Sequence, residues 1–239
     1  MTNESTSADQ LLEEEFQRIS RLDTTLNERL SAYSAAVSNY TPEFAEAYDN
    51  LVARLRSGEA GSAAPQCGEA MPAFALLDAN LRIHRLNEML AHGPVVVSLN
   101  RGHWCEYCTL ELAALNKALS EFAATGVKVV SIMPEMPAML KRASNNGAVT
   151  VLSDQENGYA LTLNLVIWLG ELIPRMLLEC GVSVEQSQGN SAYFVPIPAT
   201  FVIGQDARVI ARFVDPDFRK RMEIEDILAA LRSVNAPAG

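Results

Sequence analysis

The chain has 239 residues, 49% of them hydrophobic, and a formal net charge of −10. This allows a packed core plus an appendage, excludes wholesale disorder, and speaks against nucleic acid or an anionic membrane surface as partner. No signal peptide or membrane span is read, and the four cysteines, Cys67, Cys105, Cys108 and Cys180, do not make a secreted disulfide framework, so a reducing, cytoplasmic setting is expected.

Residues 1–64 read as a helical extension. Leu12, Phe16, Ile19, Leu22, Leu26, Leu30, Tyr33, Val37 and Tyr40 step by three and four, the spacing of one long amphipathic helix that Ser7 and Gln10 could cap. Thr41-Pro42 opens a second helix with Phe44, Tyr48, Leu51 and Leu55 on its apolar face. Those two faces need cover. Packing on the chain's own domain and a homodimer through the N-terminal helices are weighed equally. The Gly61-to-Pro65 segment is a linker to a second domain, residues 65–236.

In that domain, residues 74–84 form a short hairpin with its turn at Asp78–Asn80. A short helix from Arg85 ends before Gly93-Pro94, and Val95 to Leu99 is a buried strand. Leu112, Leu115, Leu119 and Phe122 continue as a helix, and Val127 to Met133 is the next strand, completing a parallel strand–helix–strand unit. A helix over 136–145 closes at Asn146-Gly147, a third strand lies at 149–152, and a helical turn follows from Asn157. Residues 164–196 are less regular, with a helix at 174–180 and a loop at 187–191. A hairpin of 199–203 with 209–214 and a helix from Glu223 complete an α/β sandwich, a central mixed sheet with helices on both faces.

Arg101-Gly102-His103-Trp104-Cys105-Glu106-Tyr107-Cys108 stands where the buried strand feeds its helix. Unpaired backbone N–H groups and the positive end of the helix dipole favour a thiolate there, and Cys108, one turn on, can close a disulfide with Cys105. The stretch reads as a two-cysteine redox site. Zinc is disfavoured because no second Cys-x-x-Cys or His pair exists, and no cofactor or metal is expected. His103, if cationic and close, would lower the Cys105 pKa, and Glu106 would raise it. Trp104 is read as a packing lid over the pair. Cys180 is read as a buried helix cysteine, and Cys67 as a bystander in the linker.

Trp104-Cys105-x-x-Cys108 and Ile197-Pro198-Ala199-Thr200-Phe201 resemble the thioredoxin superfamily. Arg101-Gly102-x-Trp104-Cys105-x-Tyr107-Cys108-x-x-Glu111-Leu112, Leu152-Ser153-Asp154 and Phe213-Val214-Asp215-Pro216-Asp217 more closely resemble the peroxiredoxin-like branch of the alkyl hydroperoxide reductase/thiol-specific antioxidant (AhpC/TSA) family. The resemblance implies a thioredoxin-like fold over residues 65–233, with Cys105 as attacking and Cys108 as resolving thiol. It also implies a cis-proline at Pro198 that sets the backbone of Ile197 beside the cysteines, ready to pair with a substrate. The family's Thr or Ser three residues before the peroxidatic Cys is Gly102 here, its Pro seven before is Ser98, and its Arg stands at Pro198. With those helpers missing, the leading expectation is a thiol–disulfide oxidoreductase. A thiol peroxidase that passes through a Cys105 sulfenic acid is the alternative, and a non-enzymatic redox sensor the third reading. The partners implied are a disulfide or hydroperoxide and a thiol reductant such as thioredoxin, glutaredoxin or a small thiol, and Arg101 is the first candidate for a substitute cation.

Overall fold

The structure, a computed structural model, describes residues 7–144 and 149–235. Three helices open it: α1 (Ala8–Ser20), α2 (Leu26–Tyr40) and α3 (Pro42–Ser57). Next come β1 (Ala75–Asp78), β2 (Ile83–Arg85), α4 (Leu86–Leu90), β3 (Val95–Leu99), α5 (Glu106–Lys117), α6 (Leu119–Ala124) and β4 (Lys128–Met133). The chain continues with α7 (Leu140–Ser144), β5 (Thr150–Ser153), α8 (Gly158–Thr162), β6 (Val166–Trp168), α9 (Leu172–Glu179) and α10 (Val184–Gln188). It closes with β7 (Phe194–Pro196), β8 (Ala199–Ile203), β9 (Val209–Val214) and α11 (Ile224–Asn235).

Seven strands make one mixed sheet in the order β2-β1-β5-β4-β3-β8-β9. The pairs β3–β4 and β4–β5 are parallel, as the strand–helix–strand pattern requires, and β8 joins β3 antiparallel. Alternation along β3 sorts its side chains between two cores. Val95, Val97 and Leu99 pack on one face, and Val96 joins Leu115 and Phe122 of the helical layer on the other.

The N-terminal periodicity hides a turn. The expected single helix is two, because Arg21 ends α1 and a capping box at Thr25 starts α2. Thr25 Oγ1 accepts from the Glu28 N–H at 3.2 Å, and the Thr25 N–H donates to Glu28 Oε2 at 3.1 Å. Hydrophobic spacing persists through the reversal because both helices present apolar faces to one core, so spacing alone cannot register the break.

Much of the apolar face of α2 is covered within the chain. Leu26, Leu30, Tyr33 and Val37 share one buried cluster with Tyr107 and Leu110 of α5. The segment after β9 is tied to the same helices. Glu223 caps α2 by accepting from the Leu26 N–H at 3.2 Å and the Asn27 N–H at 2.8 Å, and Arg219 pairs with Asp49 at 2.7 Å.

Other expectations shift locally. The helix expected over 136–145 begins at Leu140, and its Asn146-Gly147 stop lies outside the described residues. Part of the expected 187–191 loop is α10, started by the Ser183 side chain accepting from the Gln186 N–H. The irregular stretch also supplies β6 and β7, a separate antiparallel pair. Among the described residues no helix is long and apolar enough to cross a membrane.

Candidate functional site

Cys105 is the N-cap residue of α5, and Cys108 sits at the third position of its first turn. Both thiols are buried, and their Sγ atoms lie 2.8 Å apart, Cys108 donating to Cys105. The spacing of the motif and the first turn of a helix suffice to bring them together.

What surrounds them is more cationic than the motif suggests. Arg101 is 1% exposed, and its Nη2 donates to Cys105 Sγ at 3.1 Å. The guanidinium carbon lies 3.8 Å from the Phe218 ring centroid and 5.4 Å from that of Trp104, an arrangement that aromatic faces favour for a weakly hydrated cation. The Nε and Nη1 of Arg101 are buried without a hydrogen-bond partner. A second guanidinium comes from the far end of the chain, where Arg221 Nη2 donates to Cys108 Sγ at 3.4 Å.

Arg221 is held by Glu111, one turn beyond Cys108 on α5. Glu111 Oε2 accepts from Arg221 Nε, while its Oε1 accepts from Ser98 Oγ at 2.9 Å and Thr200 Oγ1 at 3.2 Å. Asn100 Nδ2 donates to Ser98 Oγ at 2.8 Å and to Ser131 Oγ at 3.1 Å. This network joins β3, β4, β8, α5 and the segment before α11 beneath the cysteines.

These neighbours separate the two thiols chemically. Burial alone would raise the Cys105 pKa. The hydrogen bond from Cys108 and the Arg101 and Arg221 charges outweigh it and hold Cys105 well below the usual thiol range. Burial, together with its bond to Cys105, pushes Cys108 well above that range. The pair is thus poised as one thiolate and one thiol.

The other residues of the stretch take distinct places. Glu106 is half-buried beside Cys105, and burial, then the neighbouring thiolate, pushes its carboxyl up to about 7, so the full negative charge expected there is lost near neutrality. His103 does not turn to Cys105: its Nδ1 lies 2.5 Å from Oε1 of the fully buried Glu135. Tyr107 is buried between Tyr33 and Phe218, with ring centroids at 5.1 and 5.9 Å, and its hydroxyl lies 3.2 Å from Ser34 Oγ.

Gly102 has φ of +144°, and a Cβ there would stand 2.5 Å from Trp104 Nε1 and 3.0 Å from Glu135 Oε1. A Gly102→Ala variant should therefore lose about 1–3 kcal/mol of stability, read as a lower melting temperature with altered tryptophan fluorescence. An unchanged melt would show that this turn relaxes freely.

Two expectations fail at the sheet end. No cis peptide occurs among the described residues, so the bond before Pro198 is trans. The Ile197 N–H is not free for a substrate because it donates to Leu165 O at 2.7 Å. The cause is the β6–β7 pair, which lays the chain before β6 along the residues leading into β8. Cys180 is exposed rather than buried, following α9, with Sγ 3.8 Å from Asp9 Oδ1. Burial first, then Asp9, raises its pKa.

Sequence reasoning singled out Arg101 and missed Arg221 and the role of Glu111. One signal was present: a carboxylate between Leu110 and Leu112 on a buried helix requires a buried partner. Nothing nearby in the chain identifies that partner. Among the described residues no group of three or more His, Cys, Asp or Glu could hold a metal ion.

Residues 67–212 match the model of the AhpC/TSA family. No curated protein matches the chain. Among solved structures, peroxidoxin BcpB from Mycobacterium tuberculosis is similar with a TM-score of 0.56 at 22% identity, covering 72% of this chain and 99% of its own. The reduced 2-Cys peroxiredoxin of Plasmodium vivax gives 0.54 at 15% identity, over 70% of this chain and 81% of that one. A cysteine-to-serine mutant of peroxiredoxin 6 from Arenicola marina gives 0.54 at 17%, over 71% and 73%. At these identities the likeness establishes the thioredoxin-like fold.

Proposed function

The chain belongs to the AhpC/TSA family of thiol-dependent oxidoreductases, and from that premise we propose that it is a thiol peroxidase whose reacting pair is Cys105 and Cys108. The observation that carries this reading is the Arg101 guanidinium, 3.1 Å from Cys105 Sγ and with two further nitrogens buried and unpaired. One N–H of the cation stabilises the thiolate. The free N–H groups suit the oxygen that gains charge as a peroxide bond breaks. Arg101 thereby takes over work that the family assigns to the position of Pro198.

In the proposed cycle the Cys105 thiolate attacks the terminal oxygen of a hydroperoxide. An S–O bond forms, the O–O bond breaks, and the leaving alkoxide takes a proton to become an alcohol, or water when the substrate is hydrogen peroxide. Cys105 is then a sulfenic acid. The Cys108 thiol displaces its hydroxyl, which leaves as water, and the 105–108 disulfide forms. Two thiols of a reductant, in thioredoxin, glutaredoxin or a small molecule, restore the dithiol and leave as a disulfide. A reducing compartment such as the cytoplasm supplies that reductant.

A small disulfide could meet the same pair through a mixed disulfide on Cys105. A protein disulfide fits less well, since Cys105 is 1% exposed and the Ile197 N–H is already engaged. Peroxide therefore ranks first.

The test is stopped-flow mixing of reduced protein with hydrogen peroxide, followed by mass spectrometry. The wild type should lose two hydrogens as the 105–108 disulfide. Cys108→Ser should accumulate a sulfenic acid on Cys105 that dimedone traps, and Cys105→Ser should be inert. Oxidation no faster than that of free cysteine, or first modification at Cys108, would overturn the reading.

A further inference from the structure

Arg101 is a buried cation whose one side-chain hydrogen bond among the described residues goes to Cys105 Sγ. Phe218 and Trp104 offer it aromatic faces but no formal charge. In the reduced protein the Cys105 thiolate is its counter-charge. Oxidation ends without that charge, because a disulfide sulfur carries none. A buried guanidinium left without a counter-ion is costly. Arg221 is spared this, since Glu111 pairs with it independently of the sulfur.

One carboxyl is placed to take over from the thiolate. Glu106 follows Cys105 directly as the first residue of α5 and is half-buried. It lines a cleft shared with α1, α2 and α3 and a groove beside Trp104. Burial, then the Cys105 thiolate, keeps its proton on up to about pH 7, while Arg101 pulls the other way. Once the thiolate is consumed its opposition ends and the pull of Arg101 remains, so Glu106 ionises.

The other groups facing Glu106 leave that exchange between Arg101 and the thiolate. Asp9 and Glu13 of α1 are exposed, where water screens them. Tyr33 and Tyr48 stay neutral because burial pushes their phenols far up, and Cys180 is a thiol pushed the same way. In the groove, His103 is engaged by Glu135 and Arg142 is exposed.

We propose that Glu106 donates the proton taken by the departing oxygen and then serves as the counter-ion of Arg101, so that the charge around the redox pair is conserved through the cycle. The inference rests on the peroxidase reading above and adds the source of its proton. As the thiolate gives two electrons to the peroxide, an S–O bond forms and the O–O bond breaks. The Glu106 carboxyl passes its proton to the departing oxygen, which leaves as water or an alcohol, and becomes a carboxylate. Cys108 then displaces the sulfenic hydroxyl, which leaves as water with the Cys108 thiol proton. When two thiols of a reductant restore the pair, one of their protons stays on Cys108 and the other returns to Glu106.

Proton counting tests this. Hydrogen peroxide converts a thiolate–thiol pair to a disulfide and two waters with uptake of one proton, from solution unless the protein supplies it. At about pH 6, where Glu106 holds its proton, the wild type should take up close to none and Glu106→Gln about one per disulfide, read with an indicator dye in weak buffer. At about pH 8.5 Glu106 is already ionised, and the wild type should take up about one as well. Glutamine matches the neutral carboxyl present at the lower pH. Alkylation of Cys105 by iodoacetamide should therefore keep its rate there, while oxidation by hydrogen peroxide slows about a hundredfold.

Should Glu106→Gln fail to fold, infrared difference spectra of the wild type replace it: oxidation at about pH 6 should remove a protonated-carboxyl band. Equal proton uptake or equal oxidation rates for wild type and Glu106→Gln at that pH, or no carboxyl change in the infrared, would overturn the assignment. The peroxidase reading would still stand as long as hydrogen peroxide forms the 105–108 disulfide. If hydrogen peroxide leaves Cys105 unreacted, both fall.

Discussion

Replacing Arg101 by alanine is expected to slow oxidation of Cys105 by hydrogen peroxide about a hundredfold to a thousandfold, the effect of losing one preorganised donor at a developing oxyanion. Two causes contribute, and pH separates them. Arg101 is one of two guanidiniums that hold the Cys105 pKa down. Its loss moves the rise of the rate with pH upward, because the thiolate then forms only at higher pH. In the wild type the lowered pKa brings the plateau, where more base adds no thiolate, to a lower pH than in the variant. The variant should speed up as pH rises through its higher thiol pKa, yet level off below the wild type. That residual deficit measures the loss of stabilisation at the departing oxygen.

Stopped-flow rates against pH, with thiolate ultraviolet absorbance titrated in parallel, give both numbers. Arg101→Lys should fall between, since it keeps the charge and loses the planar fork. An Arg101→Ala plateau within about threefold of the wild type, under half a unit of log rate by the transition-state relation, would remove Arg101 from the chemistry. Arg221 would then be the remaining cation to test.

The Glu111→Ala variant is expected to lose about 3–5 kcal/mol of folding stability, because it leaves the Arg221 guanidinium buried without its carboxylate. Arg221 and Glu111 are both almost fully buried, and Ser98 and Thr200 lose their acceptor in the same substitution. For a chain of this size that corresponds to a melting temperature lower by roughly 6–20 °C. Urea denaturation followed by circular dichroism would measure it, and a loss below about 1 kcal/mol would place the pair among weak surface-like ion pairs instead. Glu111→Gln, which keeps the shape and two hydrogen bonds, should cost less. The Glu111→Leu, Arg221→Met double variant should recover much of the stability, since a buried ion pair is often replaceable by apolar residues of similar volume. It should still alter Cys108, which loses the guanidinium 3.4 Å from its sulfur.

The strand–helix–strand unit and the closing hairpin were legible in the chain because their signals are local. Val95 to Leu99 and Lys128 to Met133 are apolar runs of strand length, and α5 between them repeats Leu112 and Leu115 at helical spacing. The break between α1 and α2 was not legible, since two antiparallel helices facing one core keep the same apolar rhythm as one helix; only the Thr25–Glu28 box marked it. The β6–β7 pair was missed because each strand is three residues long and is fixed by its partner rather than by its own composition. That omission had a consequence at the site, since the same region takes up the Ile197 N–H.

By itself the sequence determined that Cys105 and Cys108 meet: two cysteines three residues apart at a strand-to-helix junction must share one helical turn, with the first at the dipole's positive end. It also determined the missing helpers, for Gly102 has no hydroxyl and Pro198 no guanidinium whatever the fold. Only the tertiary structure decided which cations stand beside the thiols. Arg101 could point anywhere until Phe218, from the other end of the chain, supplied an aromatic face to hold it over Cys105. Arg221 is 113 residues from Cys108 and reaches it because Glu111 and the capped start of α2 fix the segment that carries it. The fate of the N-terminal helices was decided in the same way. An apolar face states that it must be buried, but not against what, and here α5 and the returning C-terminal segment supplied the partner.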